Sequence, residues 1–89
     1  MRDFLLRGTW IKSIKKDVAA EYGLTVEELC GPSQRANVVK ARHEAFLRVW
    51  ERTSHSYTVI ARHFNRKDHT TVIHGCNKAR ERRAAHGQA

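Results

Sequence analysis

Acidic residues are scarce in this chain. Nine Asp and Glu face seventeen Lys and Arg over 89 residues, which leaves a formal charge of +8 and a pI near 10.2. Such a surplus points to a polyanionic partner, nucleic acid or an anionic surface. Proline occurs once, at Pro32, and apolar residues make up 40% of the chain, a globular rather than a disordered balance. No stretch approaches the roughly 20 apolar residues that cross a bilayer, so no membrane partner is expected. Arg2 and Asp3 ahead of only Phe4, Leu5 and Leu6 do not resemble a signal peptide, and the expected location is the cytoplasm. The two cysteines, Cys30 and Cys76, lie 46 positions apart, and with no export signal they are expected to be small buried hydrophobes rather than a disulfide. No Gly-x-x-x-x-Gly-Lys-Ser/Thr phosphate loop is present, and the length leaves no room for an ATPase module. No cofactor is expected.

The positive charge is unevenly placed. Residues 1–34 hold five basic and five acidic residues and sum to zero, whereas residues 35–83 hold twelve basic and four acidic ones. That second segment carries the whole +8. The first third therefore reads as scaffold, and the rest as the side that meets the polyanion. Surfaces shaped only for solubility tend to mix signs.

Helical periodicity dominates what remains. Ile11, Ile14, Val18 and Tyr22 recur at three- and four-residue steps, with Thr9 as an N-cap and Gly23 as a stop. Thr25 and Glu28 have the spacing of a capping box for a short helix ending by Gly31-Pro32. Ser33 to Asn37 reads as a polar, partly basic loop. Val38, Ala41, Ala45, Phe46, Val49 and Trp50 form a second long stripe, ending near Arg52, and both tryptophans fit a core at helical spacing. Ser56 caps a helix over Tyr57–Phe64, and Asn65-Arg66-Lys67 forms a tight, charged turn. Asp68 then caps a helix that faces the core through Val72, Ile73, Cys76 and Ala79. No segment alternates as a half-buried strand does, and no repeat appears. The expectation is one all-α domain of about five helices over residues 1–89, with its core within about 9–80 and a frayed tail beyond.

Two short helices joined by a tight turn outline a helix-turn-helix, whose second helix enters the major groove N-terminus first. Asp68, His69, Thr70 and Thr71 open that helix as short polar side chains before its core-facing positions begin. Asp accepts from a cytosine amino group, His bonds a base edge, and a Thr methyl packs on thymine. Arg66 and Lys67 flank them as phosphate contacts, which position without reading sequence. Arg35, Lys40 and Arg42 form a second basic cluster, in which Arg35 is placed to reach a minor groove. The bland alternative is an ordinary cap followed by a solvated polar turn. Two other classes fare worse. His63, His69, His74 and Cys76 invite a metal, but steps of five and two along a helix make neighbouring ligands diverge. His69 with Asp68, or His74 near Cys76, diverge in the same way as catalytic pairs, and no oxyanion partner is evident. A protein-interaction adaptor with only non-specific DNA affinity, docking through Trp10, Trp50 or the first stripe, is the remaining alternative.

The run Asp68-His69-Thr70-Thr71-Val72-Ile73-His74 closely resembles the signature of the C-terminal DNA-binding domain of the bacterial replication initiator DnaA. The resemblance continues upstream without a gap through Val18-Ala19-x-Glu21-Tyr22, Val26-x-x-Leu29, Arg42-x-x-Ala45, Ser54-x-Ser56, Ile60 and Phe64, spanning roughly residues 11–80. It implies an all-α fold with a Trp-repressor-like helix-turn-helix. It further implies that Asp68, His69 and Thr70 read bases of a DnaA-box-like duplex, with Thr71 at a base methyl or phosphate. Lys67, Arg42 and Ser56 fall where the family has residues that support DNA contact. Three departures stand out. Asn65-Arg66-Lys67 replaces the usual Gly-Gly-Arg, Gln34 stands where the family uses a minor-groove arginine (with Arg35 one position along), and Trp50 occupies a position that is commonly lysine. A nucleoid-associated regulator, with a possible protein partner in the replication or transcription machinery, is the implied setting.

Overall fold

The computed structural model describes the backbone of residues 2–85 and the side chains of residues 10–85. Five helices follow in order: α1 (Arg2–Glu21), α2 (Val26–Cys30), α3 (Ala36–Arg52), α4 (Tyr57–His63) and α5 (His69–Ala85). Among the described residues there is no strand. Local chemistry sets most boundaries. Gly23 ends α1 at φ 68°, and its N–H donates to Ala20 while that of Leu24 reaches back to Ala19 at 2.8 Å. That pair of bonds is a Schellman cap, which needs the left-handed conformation that glycine adopts without strain. Thr25 and Glu28 form the reciprocal capping box that opens α2, at 2.9 and 3.1 Å. The Ser56 hydroxyl accepts from the Val59 N–H and opens α4.

Three expected boundaries differ. Thr9 lies within α1, which starts at Arg2, so it is not at an N-cap position. Asn37 is already helical, and the basic loop closes at Arg35, the N-cap position of α3. Helix α5 runs on to Ala85, where the sequence reads as fraying from about residue 81. The continuation has a physical cause, because Arg83 donates to both carboxylate oxygens of Glu51 and to Glu44, tying the last turns of α5 to α3.

Helix α3 is the axle and touches each of the other four. Its stripe of Val38, Ala41, Ala45, Phe46 and Val49 is fully buried, with Leu47 beside it. Ile11, Ile14 and Val18 pack on it from α1, Ile60 and Ala61 from α4, and Val72, Cys76 and Ala79 from α5. Phe46 meets Phe64 edge to face at 4.9 Å, an arrangement that aromatic quadrupoles favour. Trp50 departs from the expected stripe. It is 39% exposed, stacked parallel to Tyr57 at 5.8 Å with Arg80 over its ring, so it links α3, α4 and α5 at the surface rather than in the core. Gly75 lets α5 press against α3, since a Cβ there would sit 2.5 Å from the Phe46 ring and 2.8 Å from that of His43.

Candidate nucleic-acid interface

The turn between α4 and α5 is built by one left-handed residue. Asn65 has φ 59°, its N–H donates to Arg62, and the Arg66 N–H reaches back to Ala61 at 2.8 Å. The pattern is again a Schellman cap, now with asparagine at the position glycine usually fills. Asparagine is the side chain that best tolerates that region. Phe64, buried, anchors the turn from below. Lys67, Asp68, His69, Thr70 and Thr71 follow as five successive exposed residues, and Val72 returns to the core.

Asp68 caps α5. Its carboxylate accepts the Thr70 N–H at 2.9 Å, and the bonds from Thr70 hold its pKa below the ordinary value. The His69 imidazole lies 3.7 Å from the same carboxylate. Asp68 is therefore ionised and oriented, while its exposed oxygens remain open to a further donor. His69, Thr70 and Thr71 fan out around the first turn, because successive helical side chains point about 100° apart.

The second basic cluster is not laid out as its sequence suggests. Gln34, Arg35 and Lys40 are exposed. Arg42 is only 4% exposed and is corrected from a surface contact to an internal one. Its Nε donates to the Leu29 carbonyl at 2.8 Å, and Nη2 to those of Gly31 and Ser33, each at 3.0 Å. Burial of so polar a group is tolerated because its donors are satisfied. Burial, with the Arg66 charge nearby, lowers its pKa from the ordinary arginine value. Arg66 also turns inward, donating from Nη2 to Gly31 at 2.5 Å. Arg35 reaches Glu28 at 3.5 Å across exposed surface, a weak tie. Ser56 is exposed and uses one hydroxyl lone pair on the α4 cap, with its O–H still free to donate.

Loop and α5 meet across a cleft of about 370 Å³, lined among others by Gln34, Arg42, His43, Arg66, Thr71 and His74. His43 was not singled out by sequence. It packs edge-on against His74 at 5.9 Å, and its Nδ1 is buried without a hydrogen-bond partner. Desolvation, reinforced by the charges of Arg82, His74, Arg42 and Lys78, pushes its pKa down to about 4, so it is neutral at pH 7. Gly75, beneath it, was also unremarked, although an isolated glycine inside a helical pattern is a signal of close packing.

The family model described as "Bacterial dnaA protein helix-turn-helix" matches residues 11–79 of this chain. The chain belongs to that family. No solved structure matches it. The matched span begins inside α1 and ends inside α5, so it takes in the basic loop, the turn and the exposed start of α5. DNA is thus the polyanion that suits the charge surplus of this DnaA-type domain. Among the described residues no helix is long and apolar enough to cross a membrane. Nor do three His, Cys, Asp or Glu side chains gather there as a metal site would require.

Proposed function

We propose that this DnaA-type domain reads duplex DNA selectively at DnaA-box-like sites, and that it regulates transcription or replication initiation from the nucleoid without catalysis of its own. One observation carries the reading. A capped helix start presents Asp68, His69, Thr70 and Thr71 together to solvent, inside the half of the chain that holds the entire net charge. In this account the first turn of α5 enters the major groove, with Asp68, His69 and Thr70 at base edges and Thr71 at a base methyl or phosphate. Lys67 and Lys40 contact phosphate. Gln34 and Arg35 approach the adjacent minor groove from the loop, with Arg42 holding that loop from within.

The test is fluorescence anisotropy on a labelled DnaA-box duplex and a scrambled duplex of equal composition, each at two salt concentrations. Tighter binding to the box, with a steep salt slope on both duplexes, is expected. Removing the His69 imidazole (His69→Ala) costs about 1–3 kcal/mol on the box and narrows the gap to the scrambled duplex. An unchanged gap means that α5 does not read the major groove through His69. A second reading rests on the exposed Trp50 and Tyr57 stack, which suits a protein partner better than a phosphate backbone. Failure to bind either duplex hands the function to that reading.

A further inference from the structure

We infer that Arg66 is a positioning residue that locks the basic loop to the turn of the helix-turn-helix, so that the two DNA-reading elements approach the duplex as one body. The inference rests on the proposed DNA reading and deepens it. Residues 29–33 belong to a short helix end and a loop that have little of their own to hold them, since a five-residue helix is too short to be stable alone. Their carbonyls are gripped from two sides. Arg42, on α3, takes those of Leu29, Gly31 and Ser33. From the turn, Arg66 takes that of Gly31 and the side-chain Nδ2 of Asn65 donates to that of Cys30 at 3.5 Å.

The Gly31 carbonyl is the shared point, because its two lone pairs serve one guanidinium from each side. Arg66 is itself fixed by the Schellman bond of its N–H to Ala61, and it stands two residues before Asp68. Gln34 and Arg35 stand three and four residues after Gly31. A shift of the loop relative to α5 therefore breaks a charge-assisted bond in a part-buried setting, where such bonds are strongest. The spacing between the groove read by the loop and the groove read by α5 is set by this joint. Substitution of Arg66 should loosen the loop end of the contact and spare the α5 end.

Two measurements on Arg66→Ala test this. In the free protein, amide hydrogen exchange at Leu29, Gly31 and Arg35 accelerates by about tenfold, the loss expected for a hydrogen bond to a charged group, while the amides of α3 and the middle of α5 keep their protection. On the DnaA-box duplex, hydroxyl-radical protection fades on the minor-groove side and guanine N7 protection in the major groove persists. The proposal is overturned if loop exchange is unchanged, or if the whole footprint fades evenly with a salt slope shallower by about one, which is the behaviour of a plain phosphate contact. Should Arg66→Ala fail to fold, Arg66→Gln removes the charge with less loss of packing and answers to the same readouts. If the wild-type chain protects no duplex, the DNA reading falls, and exchange in the free protein still decides whether the lock exists.

Discussion

The two ends of α5 use arginine in opposite ways. Toward its C-terminus, Arg83 pairs with Glu44 and Glu51, and Arg48 on α3 bridges Glu44 to Glu21 with bonds of 2.7 to 2.8 Å. Around its N-terminus, Arg42 and Arg66 donate to backbone carbonyls. Among the described residues no carboxylate lies within 4.0 Å of either, or of Lys40 or Lys67. Both arrangements hold a guanidinium in place. Only the carboxylate cancels its charge. A carbonyl supplies only partial charge to the donors it meets, and leaves the full positive unit of Arg42 and Arg66 uncancelled, with Arg66 Nε buried and without a partner. Carboxylates thus cancel part of the charge at the C-terminal end of α5, although among the described residues Arg52, Arg80 and Arg82 have none within 4.0 Å. At the turn before α5, by contrast, Arg35 meets Glu28, and Arg42, Arg66, Lys40 and Lys67 keep their charge uncancelled. The chain-wide surplus of +8 becomes directional in this way, because three of the four acidic residues in 35–83 engage cations along α3 and the later turns of α5. The fourth, Asp68, serves as the cap.

The comparison breaks most completely at Gly75, where the scaffold and the reading edge share one contact. Gly75→Ala drives a Cβ into Phe46 and His43 and pushes α5 off α3, and the gain in helix propensity does not offset the clash. A net loss of about 1–3 kcal/mol in urea unfolding is expected. An unchanged midpoint means that α3 and α5 separate without cost. Smaller, and confined to one region, is the effect of Lys67→Ala. It should leave stability within about 0.5 kcal/mol, weaken boxed and scrambled duplexes alike, and make the salt slope shallower by about one. Arg83→Ala, which removes a cation already paired with Glu44 and Glu51, is the matched control, and its salt slope should stay that of the wild type. Equal slopes for the two variants would show that the division into paired and unpaired cations is not felt by DNA.

The sequence makes legible whatever depends on neighbours in the chain. The capping box at Thr25 and Glu28, the stop at Gly23, the cap at Ser56 and the apolar stripes of α1 from Ile11 to Val18 and of α3 from Val38 to Val49 are all local patterns, and the structure contains each of them. The exposed run from Lys67 to Thr71 is equally local, lying between a turn and the first core residue. What the sequence hides is where a long side chain ends. Arg42, Arg66 and Lys67 are alike on paper, yet a guanidinium several bonds from its Cα finds carbonyls that only the tertiary fold brings near. Trp50 misleads for a related reason. Its spacing follows the core stripe of α3, but the stripe drifts around the helix, and by its last turn the indole emerges beside Tyr57 and Arg80.

His43 gives the finest test, because it lies between α3 and α5 and feels cations of both from inside. Its neighbours Arg82, Arg42 and Lys78 all raise the cost of a further positive charge, after burial has already done so. In the unfolded chain the imidazole takes up a proton as pH falls through about 6.5, but the folded protein resists until about 4. The unfolded state therefore binds more protons across that window. Its contribution to stability is complete above pH 6.5 and drains away as pH falls from 6.5 toward 4. His63, lowered by burial and by Lys15, shares the direction and supplies part of the same slope. His43→Gln stays neutral throughout and removes one of the two sources. Urea midpoints measured at pH 7 and pH 5 should therefore fall less for the variant than for the wild type, with some loss remaining from His63. Identical losses would place the acid sensitivity elsewhere.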